Sequence, residues 1–335
     1  MTATDLSIKP HSDRCVNNAL SFDRTLDSSF ADIDWHVPWL SHLNQLALIG
    51  DAVKNLSGSN EQKNQITHDD QPIDIIASVL NNALNLRLEG SQAELPTTKP
   101  IHAQQAQILR FVSQNALPEG EAYESFIATT GNIPTRDNLH DLFNGSIWLT
   151  FPKTKAVLNY HHMIEIAEQG IRESRGRVRD TITIFDENGA VLVTSNTRVS
   201  DALIDFDWQA SLVKPRAQWD NPKQTNPHAE AAVYVFGHAL LEQLVQPRKP
   251  LCAHSIIVTV TPDFFTLSPS ERMRYLDNEV AQYMHELLLK DDVTPRQFAP
   301  LPILGVPYFW AENENPHFYE DSYVFRRGRR QKNKV

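Results

Sequence analysis

Residues 134–162 read PTRDNLHDLFNGSIWLTFPKTKAVLNYHH, and their pattern predicts two consecutive helices. The first helix takes Thr135 as its N-cap. The second begins at Pro152, because proline suits a position whose N–H would be unpaired, and it ends at Gly170. One side of the first helix carries polar or aromatic residues within an arc of about 100°: Asp137, His140, Asp141, Asn144 and Trp148.

The polar side of this first helix is the main candidate for chemistry. Asp, Asn and His are each roughly 0.5–0.7 kcal/mol poorer helix formers than Ala, so an ordinary solvent-facing helix rarely collects them. His140, Asp141 and Asn144 are therefore predicted as catalytic residues, whereas Asp137 suits the first turn of a helix. The alternative is a solvated face, or one hydrogen-bonded for structural reasons.

The second helix adds candidate substrate-binding residues. Lys155, Asn159 and His162 recur at helical spacing, with Lys153 nearer the start. If the two polar sides converge, their cations and amides can hold an anionic group. The predicted substrate-binding set is Arg136, Lys153, Lys155, Asn159 and Arg179. The alternatives are lysines that extend along the surface and, for Arg179, an ordinary ion pair.

A divalent metal is a possible cofactor, with Asp137, His140, Asp141 and His238 as candidate ligands. Their spacing is not diagnostic of a metal site. His238 and Glu242 are four residues apart on a predicted helix, but no complete ligand motif surrounds them, so a buried structural histidine is the favoured interpretation.

Composition limits the class of protein. The 335 residues carry a net charge of −10, which disfavours a broad nucleic-acid surface. Cys15 and Cys252 cannot form a disulfide framework of the secreted type, and no apolar run is long enough for a membrane span, so a cytoplasmic location is expected. P-loop, Rossmann and serine-hydrolase motifs are absent from the sequence.

The pattern along the chain predicts an α+β fold, with a helical N-terminal half followed by a small antiparallel or mixed sheet covered by helices. Helices are expected at 75–88, 102–115, 229–244 and 270–289. Strands are expected at 181–185, 190–194 and 255–260, the first two forming a hairpin around Asp186, Glu187, Asn188 and Gly189. A single domain at 31–325 would contain a flexible insertion at 55–72, after a flexible segment at 1–30 and before a basic disordered tail at 326–335.

The C-terminal region has two unusual features. Residues 308–325, the aromatic arm, contain seven aromatic side chains, which predicts an arm docked on the core. The tail then places six cations between Arg326 and Lys334. Aromatics beside arginines can also stack nucleobases, so contact with RNA or a protein partner is the alternative interpretation.

Several blocks together carry a resemblance: PTRDNLHDLFNG with WLTFPKTKAVLN, then RVRDTITIFDENGAVL, then FGHALLEQL with QPRKPLCAH, and finally LPILGVPYFW with FYED. In this order they resemble a bacterial family known as domain of unknown function number 3025, from about Phe30 to Arg327. The resemblance implies one bacterial cytosolic unit and carries no activity over to this chain.

Two functional hypotheses follow. The first is an enzyme, of hydrolase type, that handles a phosphate- or carboxylate-bearing substrate with His140 as acid or base, Asp141 orienting it or binding a metal, and Asn144 positioning the substrate. The second is a noncatalytic RNA- or protein-binding module that uses the aromatic arm and the basic tail. The acidic balance of the folded part favours the enzyme.

Overall fold

The computed structural model describes residue 30, residues 33–43, residue 50 and residues 74–89, 109–169, 176–224 and 226–328. Its helices are α1 (Ile75–Glu89), α2 (Tyr123–Thr130), α3 (Leu139–Thr150), α4 (Pro152–Gln169), α5 (Arg177–Asn188), α6 (Thr197–Ile204), α7 (His238–Gln243) and α8 (Pro269–Leu288). Its strands are β1 (Arg110–Ser113), β2 (Asn132–Thr135), β3 (Gly189–Thr194), β4 (Ala231–Val235), β5 (Cys252–Thr259) and β6 (Ala299–Pro302). The expected flexible insertion at 55–72 lies outside the described residues, as do residues 1–29 and 329–335 of the expected flexible ends.

The α+β class is confirmed. The larger sheet has the order β4-β3-β5-β6; β3 and β5 are parallel, and the two outer pairs are antiparallel. Every residue of the central strand β3 is buried, which is why its run from Ala190 to Val193 is apolar instead of alternating. The sheet is mixed, as expected.

Strand β1 corrects the helix predicted at 102–115, of which residues 102–108 lie outside the described part. Residues 110–113 pair in parallel with β2. The Asn81 side chain of α1 donates to the carbonyl of Phe111 over 2.7 Å and accepts from its N–H over 3.0 Å. These two bonds give the Phe111 backbone partners outside a helix, and Phe111 and Val112 suit a strand.

Helix α5 corrects the predicted hairpin, because the segment at 181–185 is helical and only 189–194 is a strand. Thr181, Ile182 and Phe185 are the buried residues of α5, a spacing of three to four residues that belongs to one face of a helix. Asp186, Glu187 and Asn188 form the last turn of this helix instead of a hairpin loop.

The helix predicted at 229–244 is also wrong in its first half, which is strand β4. The apolar run from Ala231 to Phe236 is entirely buried, and a run of this length is compatible with either a helix or a core strand. Pairing with β3 decides for the strand, and α7 begins only after Gly237. The helices expected at 75–88 and 270–289 correspond to α1 and α8.

Helices α3 and α4 confirm the pair predicted from residues 134–162. The N-cap of α3 is Asn138, whose side chain accepts from the backbone N–H of Asp141 over 2.8 Å, whereas the expected cap Thr135 belongs to β2. Helix α4 begins at Pro152, and its first turn is capped from α8: Asp277 accepts from the N–H of Lys153 over 3.0 Å and of Thr154 over 2.9 Å. This contact holds α4 against α8 and directs its polar side toward α3.

The aromatic arm docks on the core, as expected. Phe309, Phe318, Tyr319 and Phe325 are buried, and the ring of Phe325 lies 5.0 Å from that of Tyr319 and 6.0 Å from that of Trp208. Within the part of the chain that the structure describes, no helix has both the length and the apolar character needed to cross a lipid bilayer.

Candidate functional site

The polar sides of α3 and α4 meet in one cavity of about 360 Å³, which α5 and α7 close from the other side. Its polar and charged lining consists of Gln114, Tyr123, Glu124, Arg136, His140, Asp141, Asn144, Lys155, Asn159, His162, Asp186, Glu187 and His238. The cavity therefore brings together all three predicted catalytic residues and three of the predicted substrate-binding residues, Arg136, Lys155 and Asn159.

His238, a candidate metal ligand, also lines the cavity, whereas three predicted site residues lie elsewhere. Asp137 accepts from the backbone N–H of Ile76 over 2.8 Å and so caps the start of α1. Lys153 is exposed and donates to the side chain of Asn278 over 2.7 Å. Arg179, on the first turn of α5, does not line the cavity. For Asp137 and Lys153, position on a helical wheel predicts a place near the site but does not put the side chain in it.

Asp141 is buried and its carboxylate is occupied by Arg136. Oδ2 accepts from the Arg136 backbone N–H over 2.6 Å and from Nε over 3.0 Å, and Oδ1 accepts from a terminal guanidinium nitrogen over 2.8 Å. This bidentate pair fixes the turn between β2 and α3. The Asp141 carboxylate therefore already accepts three hydrogen bonds from Arg136, and its role is to hold the cavity wall in place.

Lys155 is the centre of a buried hydrogen-bond network. Its Nζ donates to Asn144 Oδ1 over 2.9 Å and to Asp186 Oδ1 over 2.6 Å, and it lies 5.4 Å from the centre of the Trp148 ring. Asn144 in turn donates to the hydroxyl of Tyr123 over 3.1 Å. Within the polar stripe of α3, Asn144 and Trp148 therefore contact this buried ammonium group, and the need for an amide partner explains the poor helix former at Asn144.

Two carboxylates end α5 inside the cavity. Asp186 and Glu187 lie at the negative end of the helix dipole, where each acidic side chain costs about 0.3–1 kcal/mol. Burial by itself raises the pKa of Asp186, but Lys155 and His238 outweigh burial and hold this pKa below its usual range. Burial and the neighbouring Asp186 raise the pKa of Glu187. The sequence predicts both residues in a hairpin turn, whereas the structure places them in the last turn of a helix.

His140 and His238 form an imidazole pair. Their Nε2 atoms are 3.1 Å apart and their ring centres 4.5 Å apart. Nδ1 of His140 lies 3.0 Å from Glu242 Oε2, while Nδ1 of His238 lies 4.0 Å from Asp186 Oδ1. Glu187 Oε2 is 3.4 Å from the Nε2 of His238. Both rings direct Nε2 toward each other; Nδ1 of His140 binds Glu242, whereas Nδ1 of His238 has no hydrogen-bond partner among the described residues.

Close backbone approach places His238 in this pair. A Cβ atom added to Gly237 would lie 2.5 Å from the carbonyl oxygen of Glu187 and from backbone atoms of Asn188. Only glycine lets the start of α7 come this close to the end of α5. Burial lowers the pKa of His238 to about 4, against the opposing effect of Asp186, so this imidazole is neutral at pH 7.

The far wall of the cavity is formed where α2 meets α4. Asn159 donates to the backbone carbonyl of Glu124 over 2.8 Å and to its carboxylate. Burial, followed by Glu124, raises the pKa of Tyr123 well above its ordinary value, so its hydroxyl keeps its proton. Burial lowers the pKa of His162. This wall offers neutral hydrogen-bonding groups beside one carboxylate.

One set of residues in the cavity has the composition of a metal site. The ligand atoms of His140, Glu187 and His238 all lie within 4.8 Å of one another. His140 and His238 were predicted as metal ligands, whereas Glu187 was not. The other predicted ligands, Asp137 and Asp141, make the backbone and guanidinium contacts described above.

A family model described as "Protein of unknown function (DUF3025)" matches residues 109–329. The chain belongs to this family. The resemblance seen in the sequence blocks is confirmed, although the match begins at residue 109 instead of near Phe30. All residues that line the cavity lie inside the DUF3025 match. No curated protein and no solved structure matches the chain.

Proposed function

We propose that the cavity is the active site of a hydrolase-type enzyme that acts on a small substrate carrying a phosphate or carboxylate group. The observation that carries the proposal is the imidazole pair, in which Glu242 lies 3.0 Å from Nδ1 of His140 and the two Nε2 atoms face each other at the cavity. An oriented imidazole beside a carboxylate is the arrangement that general acid–base catalysis uses. The volume of about 360 Å³ suits a small molecule.

The proposed reaction is the attack of water on an ester of the substrate. The water oxygen bonds to phosphorus or to the carbonyl carbon, the bond to the leaving group breaks, and the proton lost by water passes through a cavity base to the leaving group. The paired imidazoles are the groups that activate this water. Tyr123, which keeps its proton, and Lys155 can donate hydrogen bonds to the oxygens that gain charge.

The net charge of the cavity lining decides whether an anionic substrate can bind. Four lining carboxylates, those of Glu124, Asp141, Asp186 and Glu187, face two lining cations, Arg136 and Lys155. Each cation is already paired with a carboxylate. An anionic group therefore binds here only if a further positive charge enters the cavity, or if the substrate displaces one of these carboxylates.

The test is hydrolysis of p-nitrophenyl phosphate, bis-p-nitrophenyl phosphate and p-nitrophenyl acetate by the full chain and by His140→Gln. Removing a group that activates water should lower kcat/KM by at least about 100-fold. His228→Gln is the matched control, because His228 is exposed and lies outside the cavity. Equal activity of the full chain and His140→Gln, or no turnover of any ester by the full chain, contradicts the proposal.

A bacterial, cytoplasmic setting is part of the same proposal. It is supported by the family resemblance and by a cysteine content too low for a disulfide framework. The test is cell fractionation of bacteria that express the protein. Its absence from the cytoplasmic fraction would contradict the proposed location without affecting the catalytic proposal.

A further inference from the structure

We infer that His140, His238 and Glu187 bind one divalent transition-metal ion of the zinc type at the corner of the cavity where α3, α5 and α7 meet. Two imidazole nitrogens and one carboxylate oxygen are the ligands that such ions share. The inference rests on the proposed function for its role in catalysis, but the ion site itself stands on geometry alone.

The separation of the two imidazoles fits a shared ion. Two nitrogens that each lie about 2.0–2.1 Å from one ion are 3.1 Å apart when the angle at the ion is close to 100°. The carboxylate of Glu187 completes one face of such a site, 3.4 Å from Nε2 of His238. Three protein ligands on one side leave the remaining positions open toward the cavity, as in catalytic and not structural zinc sites.

Proton positions give the second argument. A neutral imidazole has one N–H and one acceptor nitrogen. Nδ1 of His140 presents its hydrogen to Glu242, so Nε2 of His140 is an acceptor that faces Nε2 of His238 at 3.1 Å. Either the N–H of His238 or a bound cation lies between the two nitrogens, and the N–H leaves the buried Nδ1 of His238 as an acceptor without a donor among the described residues. A carboxylate behind the ligating imidazole is also the usual outer partner in metal sites.

Charge gives the third argument. The cavity has more carboxylates than cations, and both cations that line it are paired. A divalent ion balances this excess and supplies the positive charge that an anionic substrate needs. A bound ion would also take over from the imidazoles the activation of water.

The experiment measures Zn²⁺ binding to the full chain, purified without a histidine tag and stripped with a chelator, by titration calorimetry and elemental analysis. We expect one Zn²⁺ per chain. His140→Gln and Glu187→Gln should each lower the affinity at least about 100-fold, more than the roughly 10-fold loss expected for the outer partner in Glu242→Gln. Mg²⁺ should not compete, because it prefers oxygen ligands.

Matched controls are His228→Gln and Glu314→Gln, in which an exposed imidazole and an exposed carboxylate outside the cavity are changed. Both should bind Zn²⁺ as the parent does. The side chains of His140 and Glu187 are about one-third exposed, so their variants should fold, and a thermal melt verifies this. No bound Zn²⁺ in the folded parent, or unchanged affinity in both ligand variants, overturns the inference.

The ester assay separates this inference from the proposed function. Turnover that requires His140, in a folded parent that binds no Zn²⁺, leaves the enzyme proposal standing and overturns the metal inference. Stoichiometric Zn²⁺ binding that depends on His140 and Glu187, without turnover of any ester, supports the metal site and contradicts the hydrolase proposal.

Discussion

The cavity and the aromatic arm are both enriched in residue types that mark functional sites, yet their side chains make opposite kinds of contact. In the arm, the rings of Phe318, Tyr319 and Phe325 pack on one another and are buried. In the cavity, ionisable groups from separate helices meet around a space open to a ligand. Composition marks both regions, but only the contacts distinguish packing from chemistry.

The two regions also differ in how they affect stability. Lys155 lies near the positive start of α4, and Asp186 and Glu187 lie at the negative end of α5, so each charge is at the less favourable end of its helix. The Lys155–Asp186 pair offsets this cost only in part, because both groups also lose solvation. In the arm, burial of the rings of Phe318, Tyr319 and Phe325 stabilises the fold directly. Local arrangements that oppose folding are typical of functional sites.

The largest stability effect is predicted in the arm. Phe325→Ala should lower the free energy of unfolding by about 4 kcal/mol, because it removes a buried ring that packs against Trp208, Phe318 and Tyr319. Urea denaturation followed by circular dichroism measures the change. Zn²⁺ affinity below the melting temperature should equal that of the parent; a variant that loses Zn²⁺ binding while still folded would show that the arm and the cavity are coupled.

An intermediate effect is predicted for two lysines of α4 that lie two residues apart. Lys155→Ala should cost about 2 kcal/mol, because it leaves Asp186 partly buried without its ammonium partner. Lys153→Ala should cost less than about 0.5 kcal/mol, because Lys153 is exposed and its partner is Asn278 on the surface.

The same pair of variants compares stability with activity. Ester hydrolysis should fall at least about 10-fold in Lys155→Ala, through loss of a donor to the substrate oxygens, and should remain unchanged in Lys153→Ala. Similar unfolding free energies for the two variants would show that the buried network around Lys155 contributes nothing to the fold.

Local patterns were sufficient to predict the helices that form the site. Pro152 and the helical spacing of residues 134–162 predict α3 and α4, and Ser268 with Pro269 predicts the start of α8 through a cap that the structure contains. These signals lie within a few residues of the feature they predict. They also place His140 and Asn144 on the polar side of one helix and Lys155 on that of the next, and all three side chains line the cavity.

Features that depend on distant pairing could not be read from the chain. The run from Ala231 to Phe236 suits a buried helix as well as a strand, and pairing with β3 is a contact more than thirty residues away. The sequence DENG after Phe185 is both a turn signal and a helix end. Because that choice was wrong, Glu187 was placed in a loop and the third candidate ligand of the metal site was missed.

The smallest effect is predicted at Tyr323, which is 68% exposed and has the guanidinium of Arg326 5.2 Å from its ring. Base stacking on an exposed aromatic contributes about 1–3 kcal/mol per base, so an RNA-binding arm should lose at least about fivefold in affinity in Tyr323→Ala. For Tyr323→Ala we expect unchanged retention of a single-stranded RNA, because the other rings of the arm are buried or half-buried in packing contacts. The free energy of unfolding of this variant should fall by less than about 0.5 kcal/mol. A chain that ends at residue 328 measures the contribution of the basic tail. If that chain loses RNA binding and Tyr323→Ala does not, the tail cations bind the RNA. If Tyr323→Ala loses RNA binding, the aromatic arm binds the RNA and is a functional surface as well as a packed one.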